Sequence, residues 1–136
     1  MNFALDTNIV SFALRQQYGV KERMYEAVSW GDLLIIPPVT YFEIIRGLIA
    51  DNAEAKLRLF FKMCENFSYI ELEKADWLEA ARLYADCRKR GRPTSDADIL
   101  QAAFCLRHDC TLITNNTADF DHFAGLQIID WKAGTQ

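Results

Sequence analysis

Acidic side chains recur in this chain at points where an α/β fold would bring them to one edge, unaccompanied by paired histidines or cysteines. Asp6 comes first, where the brief apolar run Asn2-Phe3-Ala4-Leu5 halts at a carboxylate and turns polar. Glu43 follows in Val39-Thr40-Tyr41-Phe42-Glu43-Ile44-Ile45-Arg46-Gly47-Leu48, pointing nearly opposite the apolar face of Tyr41, Ile44, Ile45 and Leu48. Asp96 and Asp98 sit at a helix start, and Asn115, Asn116, Asp119 and Asp121 in a late polar loop. Hard oxygen donors of this kind suit Mg²⁺ or Mn²⁺.

Each acid also has a plainer account. Glu43 is placed to pair with Arg46 three residues on, as exposed helix charges do, although Val39 and Phe42 share its side. Ser95-Asp96-Ala97-Asp98 has the form of a capping box, and first-turn acids suit the helix dipole. Periodicity does not choose between the two aspartates. Asn115 to Asp121 reads as an ordinary loop after a strand. Against these accounts stands coincidence: acids after strand one, after strand two, at a late helix start and after strand four can all converge on one crevice.

The elements that must position them follow from hydrophobic spacing. Asn2–Leu5 is a first strand, Leu33 to Ile36 a second closed by Pro37-Pro38, Ser68 to Leu72 a third, Thr111 to Ile113 a fourth and Gln127 to Asp130 a fifth. Between them lie helical segments: a short one with Ile9, Phe12 and Ala13; Val20 to Trp30 with Met24, Ala27 and Val28 inward; one capped near Thr40 and running to Ala50; Glu54 to Asn66 with Leu57, Phe60, Phe61 and Cys64 as a stripe. A long helix, Ala75 to Arg90, carries Trp77, Ala81 and Tyr84 at helical spacing and ends at Gly91 and Pro93; another runs from Thr94 or Ser95 to Leu106 with Ile99, Ala102, Ala103 and Leu106 inward. The segment Thr114 to Asp119 reads as a polar loop. Strands alternating with helices predict an α/β fold: a parallel sheet of about five strands with helices on both faces and right-handed crossovers. In such a sheet ligands bind beyond the carboxyl ends of the strands, which is where Asp6 falls.

At 136 residues the chain fits one domain, 1–136, able to bury a core without disulfides. A net charge of −4 argues against a general nucleic-acid coat, though cations held by an acid cluster would offset it locally. The four cysteines show no framework spacing and no signal-peptide pattern precedes the first strand, so a cytoplasmic location and free buried thiols are expected. No apolar run reaches membrane-spanning length.

The segments Leu5-Asp6-Thr7-Asn8-Ile9, Tyr41 through Gly47, Gly91-Arg92-Pro93 through Asp98 to Ala103, and Thr114 through Phe120 together resemble, in order and spacing, PIN-domain ribonucleases of the VapC-like toxin type. The resemblance runs nearly end to end, to Asp130-Trp131. It implies Mg²⁺- or Mn²⁺-dependent endonucleolytic cleavage of RNA, with Asp6, Glu43, Asp98 and Asp119 as the catalytic acids and Asp6 and Asp98 as the main metal ligands. Thr7, Asn8, Thr114, Asn116 and Asp96 then have supporting places. Asn116 stands where relatives often carry a further acid, and Gln101 where an apolar residue is usual. The resemblance also implies a cognate VapB-like antitoxin, a homodimer and no membrane association.

The basic run Arg88-Lys89-Arg90-Gly91-Arg92 reads either as a grip on the RNA backbone or as a solvated helix end complementing its own dipole. The aromatic residues Phe12, Phe60, Phe61 and Trp77 read chiefly as core, with an interface as the alternative. Other activities fit less well. A receiver domain wants paired acids after strand one and a lysine after the last strand; the dehalogenase type of phosphatase wants an aspartate where Asn8 stands. Cys105, His108 and Cys110 lack a fourth ligand for zinc. A non-catalytic binding module on the same fold is the remaining rival.

Overall fold

The computed structural model describes residues 1–132. In chain order the elements are β1 (Asn2–Leu5), α1 (Thr7–Leu14), α2 (Val20–Ser29), β2 (Leu33–Ile36), α3 (Pro38–Ala50), α4 (Glu54–Cys64), β3 (Ser68–Tyr69), α5 (Lys74–Lys89), α6 (Asp96–Arg107), β4 (Thr111–Ile113), α7 (Thr117–Phe120) and β5 (Ile128–Ile129). All five strands are parallel, in the order β3-β2-β1-β4-β5. The chain therefore builds outward from β1 to β3, then crosses to the other side of β1 to lay down β4 and β5. The reversal falls between β1 and β4, the crevice position where open α/β sheets bind ligands. Leu5 and Ile113 are paired there, so the residues that immediately follow, Asp6 and Thr114, emerge side by side.

The period-2 alternation of the strands feeds two cores. Phe3, Leu5, Leu34, Ile36 and Ile113 pack with α1, α2, Ile44 of α3 and Phe60 of α4. Ala4, Ile35 and Leu112 face the other way, onto Ala80 and Cys87 of α5 and onto Ile99 and Ala102 through Cys105 of α6. A side chain such as Phe60, wholly buried, contributes roughly 1.5–3 kcal/mol by leaving water. No helix among the described residues is long and apolar enough to cross a membrane.

Several expectations need correction. Thr40 does not cap α3: the helix starts at Pro38, with Pro37 as its N-cap, because a proline at the first helical position gives up no needed N–H. On α5 the stripe of Trp77, Ala81 and Tyr84 faces outward, Trp77 being 53% exposed, and the inward face is Asp76, Ala80 and Cys87. Small side chains let α5 approach α6 closely, and bulky Trp77 would hold the helices apart. Val28 and Phe61 likewise face solvent while their neighbours Ala27 and Phe60 are buried. The polar stretch after β4 is not wholly loop, since Thr117–Phe120 winds one turn of helix to bury Phe120. Strands β3 and β5 are shorter than expected, two residues each; other boundaries differ by the one or two residues over which helix ends fray.

Candidate active site

Asp6 stands at the junction of the two cores, 7% exposed. Its backbone N–H donates to Ile113 O at 2.9 Å, continuing the β1–β4 ladder. Its side chain then caps α1, Oδ1 accepting from Thr7 N at 2.9 Å. Two distant residues complete the setting. Thr114 Oγ1 donates to Asp6 Oδ2 at 2.7 Å and accepts from Asn116 N at 3.0 Å. Gln101 Nε2 donates to Asp6 Oδ1 at 3.1 Å and to Thr40 Oγ1 at 2.8 Å, while the Thr40 hydroxyl donates to Leu5 O at 2.8 Å. Because the Thr40 proton is committed to Leu5, Thr40 can only accept from Gln101, which fixes which end of the amide faces Asp6.

Gln101 is thus a site residue that sequence spacing did not reveal. Its amide oxygen, buried, has no hydrogen-bond partner among the described residues. That orphan makes the residue's net worth small: replacing Gln101 by Leu removes two bonds and also removes an unsatisfied buried acceptor worth about 1–3 kcal/mol. We expect Gln101→Leu to leave stability within about 1 kcal/mol of the parent, as read by urea unfolding. A larger loss would show that the amide oxygen is satisfied in solution.

Glu43, half-buried on α3, is held by Thr7, whose Oγ1 donates to Glu43 Oε1 at 2.6 Å. The expected pairing with Arg46 is also present but long, 3.5 Å from Nη2 to Oε2. Phe42, beside Glu43, lies open to solvent and does not cover it. Asp98 is the third residue of α6, and its backbone N–H donates to the N-cap hydroxyl of Ser95 at 3.2 Å. The Asp98 carboxyl is pushed above the ordinary aspartate value, first by desolvation; a hydrogen bond from Ser95 opposes this, and the charges of Asp119, Asp6 and Glu43 add to it. Four acids from four separate segments therefore share one electrostatic environment.

The remaining expected residues divide. Asn8 is half-buried next to Thr7, whereas Asp96 and Asn116 are exposed, Asn116 acting as N-cap of α7. Asp119, also exposed, is the late-loop acid whose charge reaches Asp98. Asp121 turns to Arg92, 3.9 Å away. Of the basic run, Arg92 donates to Ala118 O at 2.9 Å, and Arg90 pairs with Asp86 and donates to His122 O at 3.3 Å, so both brace the end of α5 against α7. Arg88 and Lys89 are exposed. Cys105, His108 and Cys110 do not assemble as a zinc set: His108 faces Asp76, and burial pushes the Cys110 thiol up to about 11.

The donor set fits a hard divalent cation. A carboxylate offers about four lone-pair sites and Asp6 uses three, which leaves capacity for an ion. Among the described residues no group of three or more His, Cys, Asp or Glu side chains is placed to hold a metal ion by itself, so the donor chemistry fits only an ion that keeps most of its waters and takes one or two protein carboxylates, as Mg²⁺ does.

The chain is similar along nearly its whole length to characterised proteins. It is 26% identical over 132 residues to the ribonuclease VapC1 of Haemophilus influenzae, covering 96% of this chain and 98% of that one. It is 26% identical over 134 residues to the tRNA(fMet)-specific endonuclease VapC of Shigella flexneri, covering 97% and 99%. Among solved structures, VapBC-1 from nontypeable Haemophilus influenzae matches with a TM-score of 0.79 at 29% identity, covering 96% of this chain and 98% of that one. DNA-bound VapBC from Salmonella typhimurium matches with a TM-score of 0.87 at 22% identity, with the same coverage. The PIN domain family model matches residues 3–126, and with the parallel five-stranded sheet and its acid-lined switch point this places the chain in the PIN domain family.

Proposed function

We propose that this protein is a VapC-type endoribonuclease toxin that uses Mg²⁺ or Mn²⁺ and is held in check by a VapB-like antitoxin. The observation that carries the reading is the placing of Asp6 at the β1–β4 switch point, held there by Thr7 and Thr114, with Glu43 bound to the same Thr7. The relatives named as ribonuclease and as tRNA endonuclease support it, as do the VapBC complexes.

In this reading Asp6 and Asp98 would hold the ion, and Asp119 would serve as a further carboxylate for it. When bound, a divalent cation supplies Lewis acidity: it lowers the pKa of a water and offsets charge on the phosphoryl oxygens. Glu43, oriented by the Thr7 hydroxyl, would orient the attacking water and accept its proton as the new P–O bond forms and the P–O3′ bond breaks, the leaving oxygen taking a proton from solvent. Thr114 and Gln101 prevent Asp6 from swinging out of place. Without a cation the four acids repel a phosphodiester, so they both need the ion and exclude RNA in its absence. Exposed Arg88 and Lys89 contact the RNA backbone in this reading, with Arg90 and Arg92 beside them braced against the α7 segment.

An antitoxin tail that carries an arginine into the acidic crevice would block it, and the outward stripe of Trp77, Ala81 and Tyr84 on α5 offers an apolar surface for a homodimer. A cytoplasmic location is consistent with this reading. The test is digestion of total RNA with Mg²⁺ or Mn²⁺, with and without chelator, followed by mapping of the cut ends. Cleavage that persists in excess chelator would overturn it. Binding should also register as stability: at ten times its dissociation constant the ion adds about 1.4 kcal/mol, read as a rise in Tm that EDTA abolishes.

A further inference from the structure

Beside the acid cluster runs a groove of about 240 Å³, lined among others by Thr7, Ser11, Arg15, Glu43, Gly47 and Lys56. It begins at the Thr7–Glu43 pair and so is continuous with the proposed site. Its other end is cationic: Arg15 closes α1 and Lys56 stands in the first turn of α4, both exposed and neither in an ion pair among the described residues. One acid, Asp51, shares that end, leaving a positive balance there. Gly47 forms part of the wall, and a Cβ built on it meets nothing within 4 Å. The cleft is smaller than the roughly 300–1,000 Å³ of a small-molecule pocket, which suits a strand passing through.

We propose that this groove between α1, α3 and the start of α4 is a subsite for single-stranded RNA next to the cleaved bond, with Arg15 and Lys56 contacting backbone phosphates. It rests on the ribonuclease reading above and adds where the strand runs. Charge decides the assignment: a negative backbone drawn toward four acids needs a positive anchor within a nucleotide or two, and the braced Arg90 and Arg92 are less available for that role. Ser11 and Thr7 add hydroxyls along the track.

The test uses the full chain. Cleavage of a single-stranded RNA by the parent in Mg²⁺ is measured first; if none occurs, the ribonuclease reading fails, and the subsite with it. If the parent cuts, Arg15→Glu/Lys56→Glu should raise KM about tenfold at 0.1 M salt, two exposed cations having turned repulsive. The dependence of log affinity on log salt should flatten by about 0.7 for each phosphate no longer neutralised. Arg58→Glu, on the same helix outside the groove, should change neither. Gly47→Leu, which fills the groove from its open wall, should lower kcat/KM at least tenfold while Mn²⁺ affinity measured by calorimetry stays at the parent value. Parent-like KM and salt slope in the double variant overturn the proposal, as does parent-like kcat/KM in Gly47→Leu. Variants that cut RNA normally but no longer bind an antitoxin peptide would assign the groove to protein instead and also overturn it.

Discussion

Replacing Asp98 by Asn should cut RNA cleavage by about a thousandfold, the several kcal/mol of Lewis-acid stabilisation that a neutral amide would forfeit, and should at the same time make the metal-free protein more stable. The two effects share one cause. The Asp98 carboxyl is raised by desolvation and by the charges of Asp119, Asp6 and Glu43. A carboxyl whose folded-state pKa is raised contributes full stability below the ordinary aspartate value and loses it as pH rises through the raised value. The ionised group is therefore a liability at neutral pH, which Asn relieves. Asp98 is only half-buried, so solvent screening limits the gain to about 1 kcal/mol or less, a rise of roughly 2–5 °C in Tm. The gain should disappear in acid, where the parent carboxyl is protonated, and reverse in Mg²⁺, which stabilises only the parent. Equal Tm for parent and variant at every pH would show that the Asp98 carboxyl is not raised in the folded protein; cleavage at the parent rate would remove Asp98 from the site.

A second large effect is expected far from the crevice. Asp76, with a side chain 1% exposed, accepts from Arg107 Nε at 3.2 Å and His108 Nε2 at 3.1 Å through Oδ1, and from Glu73 N at 2.8 Å through Oδ2. It belongs to the capping box of α5 and ties the start of that helix to the end of α6. Asp76→Ala removes the cap, worth about 1 kcal/mol, and leaves two cationic or polar groups without their acceptor. Breaking a buried pair costs about 3–5 kcal/mol, but Arg107 is 36% exposed and can turn to water. We expect a loss of about 3 kcal/mol, a fall in Tm of roughly 10 °C. Because α6 carries both Asp98 and Gln101, cleavage should fall with heating earlier than in the parent yet remain normal well below the transition. A change in Tm under about 2 °C would mean that the pair is solvated.

Much of this was legible from side-chain patterning. Asp6 could be found because a strand that ends in a carboxylate is visible in a few consecutive residues, and the sheet because its strands alternate with helices. Local pattern failed where partners are remote. Gln101 interrupts an apolar face for a reason that lies 95 residues away at Asp6 and 61 away at Thr40. Thr40 looked like a cap because threonines often cap, whereas its hydroxyl is spent on the Leu5 carbonyl. On α5 two stripes of helical period compete, and the one with the bulkier residues lies outside: Ala80 and Cys87 are favoured inward by the closeness of α6, a tertiary fact. The capping half of the role of Asp76 is local, three residues from Glu73, but its ion-pair half gives no local sign, since Arg107 and His108 come from the far end of another helix.

The two outermost strands, β3 and β5, pair through only two residues each. Cross-β growth needs a long, flat, unpaired rim on which another chain can template, and so short a rim offers few free amides and carbonyls. Blunt margins of this kind disfavour edge-to-edge stacking of one molecule on the next.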